Sequence, residues 1–343
     1  MPSCGIACDT SKIIRYCSKG NISAISDAVE RNQCCSACCN KNKDTLLIVA
    51  AKFANLNVVK LLLEQFGLEY IEQFNKTGKR ALHEAAQNGQ YDIAKYLLDN
   101  GATVDALKQG DWTPTMLAAE KGHFEMVQLL GSYGADPSLR NKDGWNTLHI
   151  AARTGDIDIL QYLYNQNQGL ISTVSKNGRR PLHSAALNNS ADAVLWLARN
   201  GAEIDVEDSS GMTPLMDGGR MGHLAVCQVL LQRGADILRR DGLGRTILHH
   251  VAQAGQVEMI QWCVDNANSK INNMVGCSKP EKSFINWQST QGSTALHYAA
   301  KESRGAEISK LVSLDADILI RDNHGRLPVD MTPHENIKEK LMI

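Results

Sequence analysis

Apolar positions along the chain fall into short helical runs separated by Gly-containing polar turns. Near residue 120, Leu117, Ala118 and Ala119 form one run and Gly122 ends it. Val127, Leu129 and Leu130 then recur at helical spacing before Gly134. This pattern predicts two short helices packed as a hairpin, the second amphipathic. The turn before them is also legible. Gly110 and Asp111 bend the chain, Thr113 is a helix N-cap, and Pro114 suits the first helical position, where a missing N–H costs nothing. Gly134 supplies a left-handed stop. A single hairpin cannot bury both of its apolar faces, so such units must stack.

The unit returns along the chain. RALHEAAQNG begins at Arg80, TPTMLAAEKG at Thr113, NTLHIAARTG at Asn146, RPLHSAALNN at Arg180, TPLMDGGRMG at Thr213, TILHHVAQAG at Thr246 and TALHYAAKES at Thr294; TLLIVAAKFA at Thr45 is a weaker copy. The fourth residues are Ile48, His83, Met116, His149, His183, Met216, His249 and His297, separated by steps of 35, 33, 33, 34, 33, 33 and 48. A period of 33 with a TPLH-like core resembles the ankyrin repeat, from about Ile13 to the C-terminus. The resemblance implies an all-α ankyrin-repeat solenoid of stacked helix-turn-helix units with β-turn fingers. Residues 1–42 read as a Cys-rich N-terminal segment containing a degenerate capping repeat, 43–267 as ankyrin repeats, 268–290 as an inserted loop, and 291–343 as a repeat with a truncated C-terminal cap. The insertion accounts for the step of 48. It is rich in Asn, Ser and Lys and lacks a helical period, which predicts a mobile loop.

Composition narrows the function classes. Lys plus Arg (36) against Asp plus Glu (37) leaves a net charge of −1, so no bulk field draws nucleic acid or an acidic membrane surface. The N-terminus lacks a basic segment followed by an apolar run, and no stretch reaches the ~18 apolar residues of a membrane span. A soluble, intracellular monomer is expected, cytoplasmic and also nuclear. Neither a G-x-G-x-x-G after a strand nor a Walker-type lysine loop occurs, so no nucleotide cofactor is expected.

Candidate chemistry is sparse. The five slot histidines lie one helix-packing distance apart, about 8–10 Å, too far to share a zinc ion with bonds of about 2.1 Å. Each is expected to bridge backbone groups between adjacent turns. Seven of the ten cysteines (Cys4, Cys8, Cys17, Cys34, Cys35, Cys38, Cys39) fall within the first 39 residues. Cys35 and Cys38 have CxxC spacing, and Cys4 with Cys8 could complete a zinc site. The expected state is instead a set of reduced thiols packed as small hydrophobes in capping helices, with no metal. No catalytic residue stands out, and an enzyme is not expected.

The residues immediately before each TPLH slot, expected at turn tips facing the concave side, are Asp44, Lys79, Trp112, Trp145, Arg179, Met212, Arg245 and Ser293. Trp112 and Trp145, flanked by Lys79 and Arg179, have the aromatic and cationic character of protein interfaces. The bland alternative is that each indole packs on the next turn.

The segments KRALHEAAQNG, ALKQGDWTP, LRNKDGWNTLHIAARTGDIDILQYL, LMDGGRMGH and TALHYAAKE further resemble ankyrin-repeat co-regulators of alanyl-tRNA synthetase. That resemblance implies binding to the catalytic domain of the synthetase and capture of misactivated serine on lysine side chains, which prevents tRNA mischarging and preserves translation fidelity. The acceptor lysines it implies are Lys142 in the NKDGW turn, with Lys108 and Lys176 standing near the other two positions, which here are Gln109 and Ser172. Lys142 read bottom-up is equally an ordinary solvated turn lysine. A generic ankyrin scaffold for an unrelated protein or peptide is the competing reading.

Overall fold

A computed structural model describes residues 10–31, 36, 38–273 and 283–342. Cys4, Cys8, Cys34 and Cys35 lie outside the described residues, and with them the question of zinc at the N-terminal cluster. Cys17 and Cys38 are buried.

The chain divides into two compact units, one to Leu170 and one from Ile171. In the first, helices pair as α1 (Thr10–Lys19) with α2 (Ile22–Glu30), α3 (Leu46–Lys52) with α4 (Leu56–Phe66), α5 (Ala81–Gln87) with α6 (Tyr91–Asp99), α7 (Pro114–Glu120) with α8 (Phe124–Ser132), and α9 (Thr147–Thr154) with α10 (Ile157–Gln166). The second contains α11 (Pro181–Leu187) with α12 (Ala191–Arg199), α13 (Pro214–Arg220) with α14 (Leu224–Gln232), α15 (Ile247–Ala254) with α16 (Val257–Asn272), α17 (Ala295–Lys301) with α18 (Gly305–Ser313), and a short α19 (Glu335–Lys338). Among the described residues there is no β-strand, only two isolated bridges. Each unit is an all-α stack of ankyrin-type hairpins, the architecture of the solenoid fold.

Odd-numbered helices stack on one another within each unit, and even-numbered ones form a second layer. From α3 to α17 the odd row is almost wholly buried, as residues 114–119 of α7 and 147–152 of α9 show, whereas the terminal α1 buries only Ile13 and Cys17. Alanine pairs such as Ala118-Ala119 and Ala151-Ala152 let these helices approach closely. The even row buries only a stripe, as Val127, Leu129 and Leu130 do in α8. Thr113 caps α7 by accepting the Met116 N–H at 3.2 Å, with Pro114 at the first position.

The alanine pair becomes Gly218-Gly219 in α13. A Cβ on Gly219 would stand 2.6 Å from Ile247 Cδ1 and 2.7 Å from its Cγ1. Ile247 opens α15 in a slot held by Ala81, Pro114, Thr147, Pro181, Pro214 and Ala295 in other repeats and by the comparably large Leu46 in α3, so the glycine makes room for a neighbour larger than most.

The segment expected as a mobile loop, 268–290, is ordered at both ends. Helix α16 runs on to Asn272, because Ala267 and Ile271 continue its buried stripe beyond Met259, Ile260, Cys263 and Val264. Phe284 and Ile285 are buried in a 3-10 turn (Phe284–Asn286), with Phe284 edge-on to Trp287 at 5.2 Å. Residues 274–282 lie outside the description.

Candidate interaction surface

Between the helix pairs, five-residue fingers carry the variable side chains. Their geometry is fixed by the first residue. Asn75 Oδ1 accepts the N–H groups of Thr77 and Lys79 at 2.9 and 3.0 Å, and Asn141 Oδ1 those of Asp143 and Trp145 at 3.0 and 2.9 Å. Asp208, Asp241 and Asp322 lock their own fingers in the same way. Successive fingers join through single bonds: Lys76 N donates to Asn42 O, Gln109 N to Thr77 O and Lys142 N to Gly110 O, at 3.1, 2.6 and 2.9 Å.

Three of the five slot histidines bridge successive turns as expected, whereas His83 Nδ1 accepts the Arg80 N–H at 3.2 Å but its buried Nε2 has no hydrogen-bond partner of ordinary geometry among the described residues. In His183, His249 and His297, Nδ1 accepts the N–H of the residue three before it, at 3.2, 3.0 and 3.2 Å. Nε2 donates to a carbonyl of the next finger, Met212, Ser293 and Arg326 respectively, at 3.0, 3.2 and 3.1 Å. Burial keeps them neutral: the pKa falls to about 3 in His83, about 4 in His183 and about 3 in His249. Among the described residues no group of His, Cys, Asp or Glu is arranged to hold a metal.

One finger breaks the rule. The turn-locking slot reads Asn40, Asn75, Lys108, Asn141, Ser175, Asp208, Asp241, Ser289 and Asp322. Only Lys108 lacks a short polar side chain able to accept bonds from its own turn, and such a lock is worth about 0.5–1.5 kcal/mol per bond. The same finger carries Asp111 at φ +60°, a conformation its neighbours assign to Gly78 and Gly144. The Lys108 side chain instead lies over the Trp112 ring, with Nζ 5.5 Å from the centroid. It enters an open cleft of about 440 Å³ lined by Lys79, Gln87, Trp112, Leu117 and Glu120 among others. Burial, reinforced by the charge of Lys79 and only partly offset by Glu120, lowers the Lys108 pKa.

The other candidate residues fall in both units, Lys79, Trp112, Trp145 and Lys142 in the first and Lys176 and Arg179 in the second. Lys79 Nζ is held by Glu84 Oε1 at 2.8 Å and Gln87 Oε1 at 2.6 Å. Trp112 and Trp145 are half-buried, their ring faces covered by Lys108 and by Arg153, the latter at 5.4 Å. Arg153 is anchored by Glu120 at 2.8 Å. The indoles therefore pack on the scaffold and also reach the surface. Lys142 is an exposed finger-tip residue, in the same finger position as exposed Lys41 and Lys76; Lys176 is exposed on a tip in the second unit. Arg179 also belongs to the second unit, where it pairs with Asp208 at 3.1 Å and Asp217 at 3.3 Å. Burial raises the pKa of Asp217 to about 6 despite Arg179 and Arg220 nearby. Lys108 as a departure from the locking slot, and the Glu120–Arg153 pair, are the features that inspection of TPLH-adjacent positions alone passes over. Aligning the fingers with one another reveals the first.

Helix pairs recurring every 33 residues, joined by hydrogen-bonded fingers with variable side chains, define a repeat scaffold of the protein-binding kind. The chain belongs to the ankyrin-repeat family: the family model for ankyrin repeats (3 copies) matches residues 13–108, 104–172, 164–241 and 238–322. It is similar to the E3 ubiquitin-protein ligase XBAT33 of Arabidopsis thaliana, with 32% identity over 164 residues, 44% of this chain and 32% of that protein. The human transient receptor potential cation channel subfamily A member 1 is 24% identical over 325 residues, 92% of this chain and 25% of the channel. The chain thus spans a third or less of the length of these relatives. Among solved structures, the human ASB11 ankyrin repeat domain superposes with a TM-score of 0.52 at 26% identity, covering 59% of this chain and 89% of that one. Among the described residues no helix is long and apolar enough to cross a membrane.

Proposed function

We propose that the protein is a non-catalytic scaffold that holds a protein partner against the fingers of its first unit. The observation carrying this reading is the Lys108 finger, where a turn lock is replaced by an ammonium beside an indole in an open cleft. Trp112, Trp145 and Lys79 extend the contact surface, and Arg179 offers a further contact in the second unit. For the partner itself, the resemblance of the DWTP and NKDGWN turns to ankyrin repeat domain-containing protein 16 supports the catalytic domain of alanyl-tRNA synthetase. In that role a lysine amine attacks the carbonyl of seryl-adenylate, AMP departs, and serine remains as an amide, with no turnover. Exposed Lys142 has the reach for this; Lys108, its pKa lowered, has a larger neutral fraction; exposed Lys176 is the third candidate.

The test incubates the chain with the synthetase, ATP and labelled serine, then maps modified lysines by mass spectrometry with Lys142→Arg as control. Arginine keeps the charge and loses the nucleophile. Serine concentrated on Lys142, Lys108 or Lys176 is the expected result. Binding without modification removes capture, and absence of binding removes this partner. In either case the second reading, a scaffold for another protein, stands; it is supported by the ankyrin-repeat family match over most of the chain.

A further inference from the structure

We infer that the cleft between the 75–79 and 108–112 fingers is a carboxylate-binding station that takes an acidic residue, flanked by an apolar one, from an extended segment of a protein partner. This rests on the scaffold reading and adds the partner's chemistry to it. Charge is the first ground. Among the residues lining the cleft, Lys79 and Lys108 stand against Glu120 alone, two positive groups to one negative. Glu84 is taken by Lys79 at 2.8 Å and Glu120 by Arg153 at 2.8 Å. Lys108 makes no ion pair among the described residues, although its amine is partly desolvated and faces a second lysine. Such a site is completed by an anion, which removes the like-charge repulsion and supplies the missing acceptor.

The walls decide which kind of anion. A free phosphate is best held by convergent backbone N–H groups. Here four of the finger amides are engaged: Gln109 N donates to Thr77 O, Asp111 N to Lys108 O, Lys108 N to Trp112 O and Thr77 N to Asn75 Oδ1; within the 108–112 finger only the N–H groups of Gly110 and Trp112, which the missing lock leaves without a bond among the described residues, are open to a ligand oxygen. What remains for a ligand is those two turn N–H groups, the Lys108 ammonium, the one Lys79 hydrogen not given to Glu84 or Gln87, the Gln87 NH2 and the Gln109 amide, and the apolar surfaces of Trp112 and Leu117. Ammonium groups suit a carboxylate, side-chain amides suit a peptide backbone, and an indole suits an apolar neighbour. The volume admits two or three side chains, and its open mouth lets an extended chain pass through.

Random peptides about 12 residues long, displayed on phage, are selected on the full chain; extended, they span about 40 Å. Bound peptides are expected to be enriched in Asp or Glu next to an apolar residue. The best of them, synthesised and labelled, should bind Lys108→Gln about tenfold more weakly, Lys108→Arg within about threefold of the parent, and Lys41→Gln unchanged. Selected peptides without acidic enrichment, or equal affinity for Lys108→Gln, overturn the inference and leave the scaffold reading intact. Displacement of the peptide by inorganic phosphate at constant ionic strength assigns the site to a small anion and also overturns it. Recovery of no peptide at all counts against the scaffold reading itself.

Discussion

Acidification from pH 7.5 to 5.0 is expected to weaken the fold by several kcal/mol through the buried slot histidines. In the unfolded chain a histidine titrates near 6.5. In the folded protein burial holds His83 and His249 at about 3 and His183 at about 4. A depressed folded pKa contributes stability that is present above 6.5 and is lost as pH falls toward the folded value, because the unfolded state then binds protons the native state refuses. Between 6.5 and 5.0 that is 1.5 pH intervals at about 1.36 kcal/mol each, or roughly 2 kcal/mol per histidine. His83 thus removes about 2 kcal/mol from the first unit, and His183 with His249 about 4 from the second. His250 and His297, also lowered by burial, act in the same direction. Asp217 opposes them: its pKa, raised to about 6, favours the fold as pH drops through that value, by about 1 kcal/mol. The assay is urea unfolding followed by circular dichroism at both pH values and equal ionic strength, with hydrogen exchange to separate the units. His249→Met, a residue the slot already accepts at Met116 and Met216, should remove about 2 kcal/mol of the pH dependence while lowering stability at pH 7.5. A fall below about 1 kcal/mol in the second unit, or an unchanged slope in His249→Met, would refute the neutral, bridging imidazole.

Three further outcomes follow from the packing and the site. Gly219→Ala should destabilise the second unit by about 1–2 kcal/mol, overpacking at Ile247 outweighing the helix-propensity gain; urea titration of the variant combined with Ile247→Ala should show a favourable coupling of about 1 kcal/mol, and additivity would mean that the side chains do not meet. Trp112→Ala and Trp145→Ala should each lower stability by about 1 kcal/mol, from the lost cation–indole contact and packing, and Trp112→Ala should also weaken binding of an acidic peptide. Intact affinity in Trp112→Ala would assign the indole to the scaffold alone. Asp217→Leu should lower the stability of the second unit by about 1–3 kcal/mol at pH 7.5, since it takes the carboxylate from Arg220 and leaves Arg179 with Asp208 alone; a gain would show that the buried carboxyl is the weaker arrangement.

Much of the fold was legible because ankyrin chemistry is local. Thr113, Pro114 and Gly122 specify a cap, a first turn and a stop within ten residues, and the 33-residue period then places every hairpin. The extension of α16 to Asn272 was not legible: its buried stripe ends in isolated Ala267 and Ile271 among polar residues, a period too sparse to see without the neighbours they pack on. The site was partly legible. Lys79, Trp112 and Trp145 close their fingers half-buried, where their spacing implied turn tips, and the half-burial of the indoles depends on Lys108 and Arg153, the latter held from another helix by Glu120. The lowered pKa of Lys108 likewise depends on Lys79, 29 residues earlier, and on burial, neither of which a linear pattern encodes.

The central claim is that the 108–112 finger is shaped for a ligand at the expense of its own turn. Lys108→Asn tests it most directly, because it installs the lock seen at Asn75 and Asn141 and removes the ammonium in one change. Two regained turn bonds at about 0.5–1.5 kcal/mol each, less about 0.5–1 for the lost cation–indole contact, give a net gain near 1 kcal/mol, or a melting temperature higher by about 2–4 °C. Affinity for the selected acidic peptide, measured on the same sample by fluorescence anisotropy, should fall about tenfold. Higher stability with weaker binding is the expected pair of results; lower stability, or unchanged affinity in a well-folded variant, would contradict the claim that this finger exists to hold a partner.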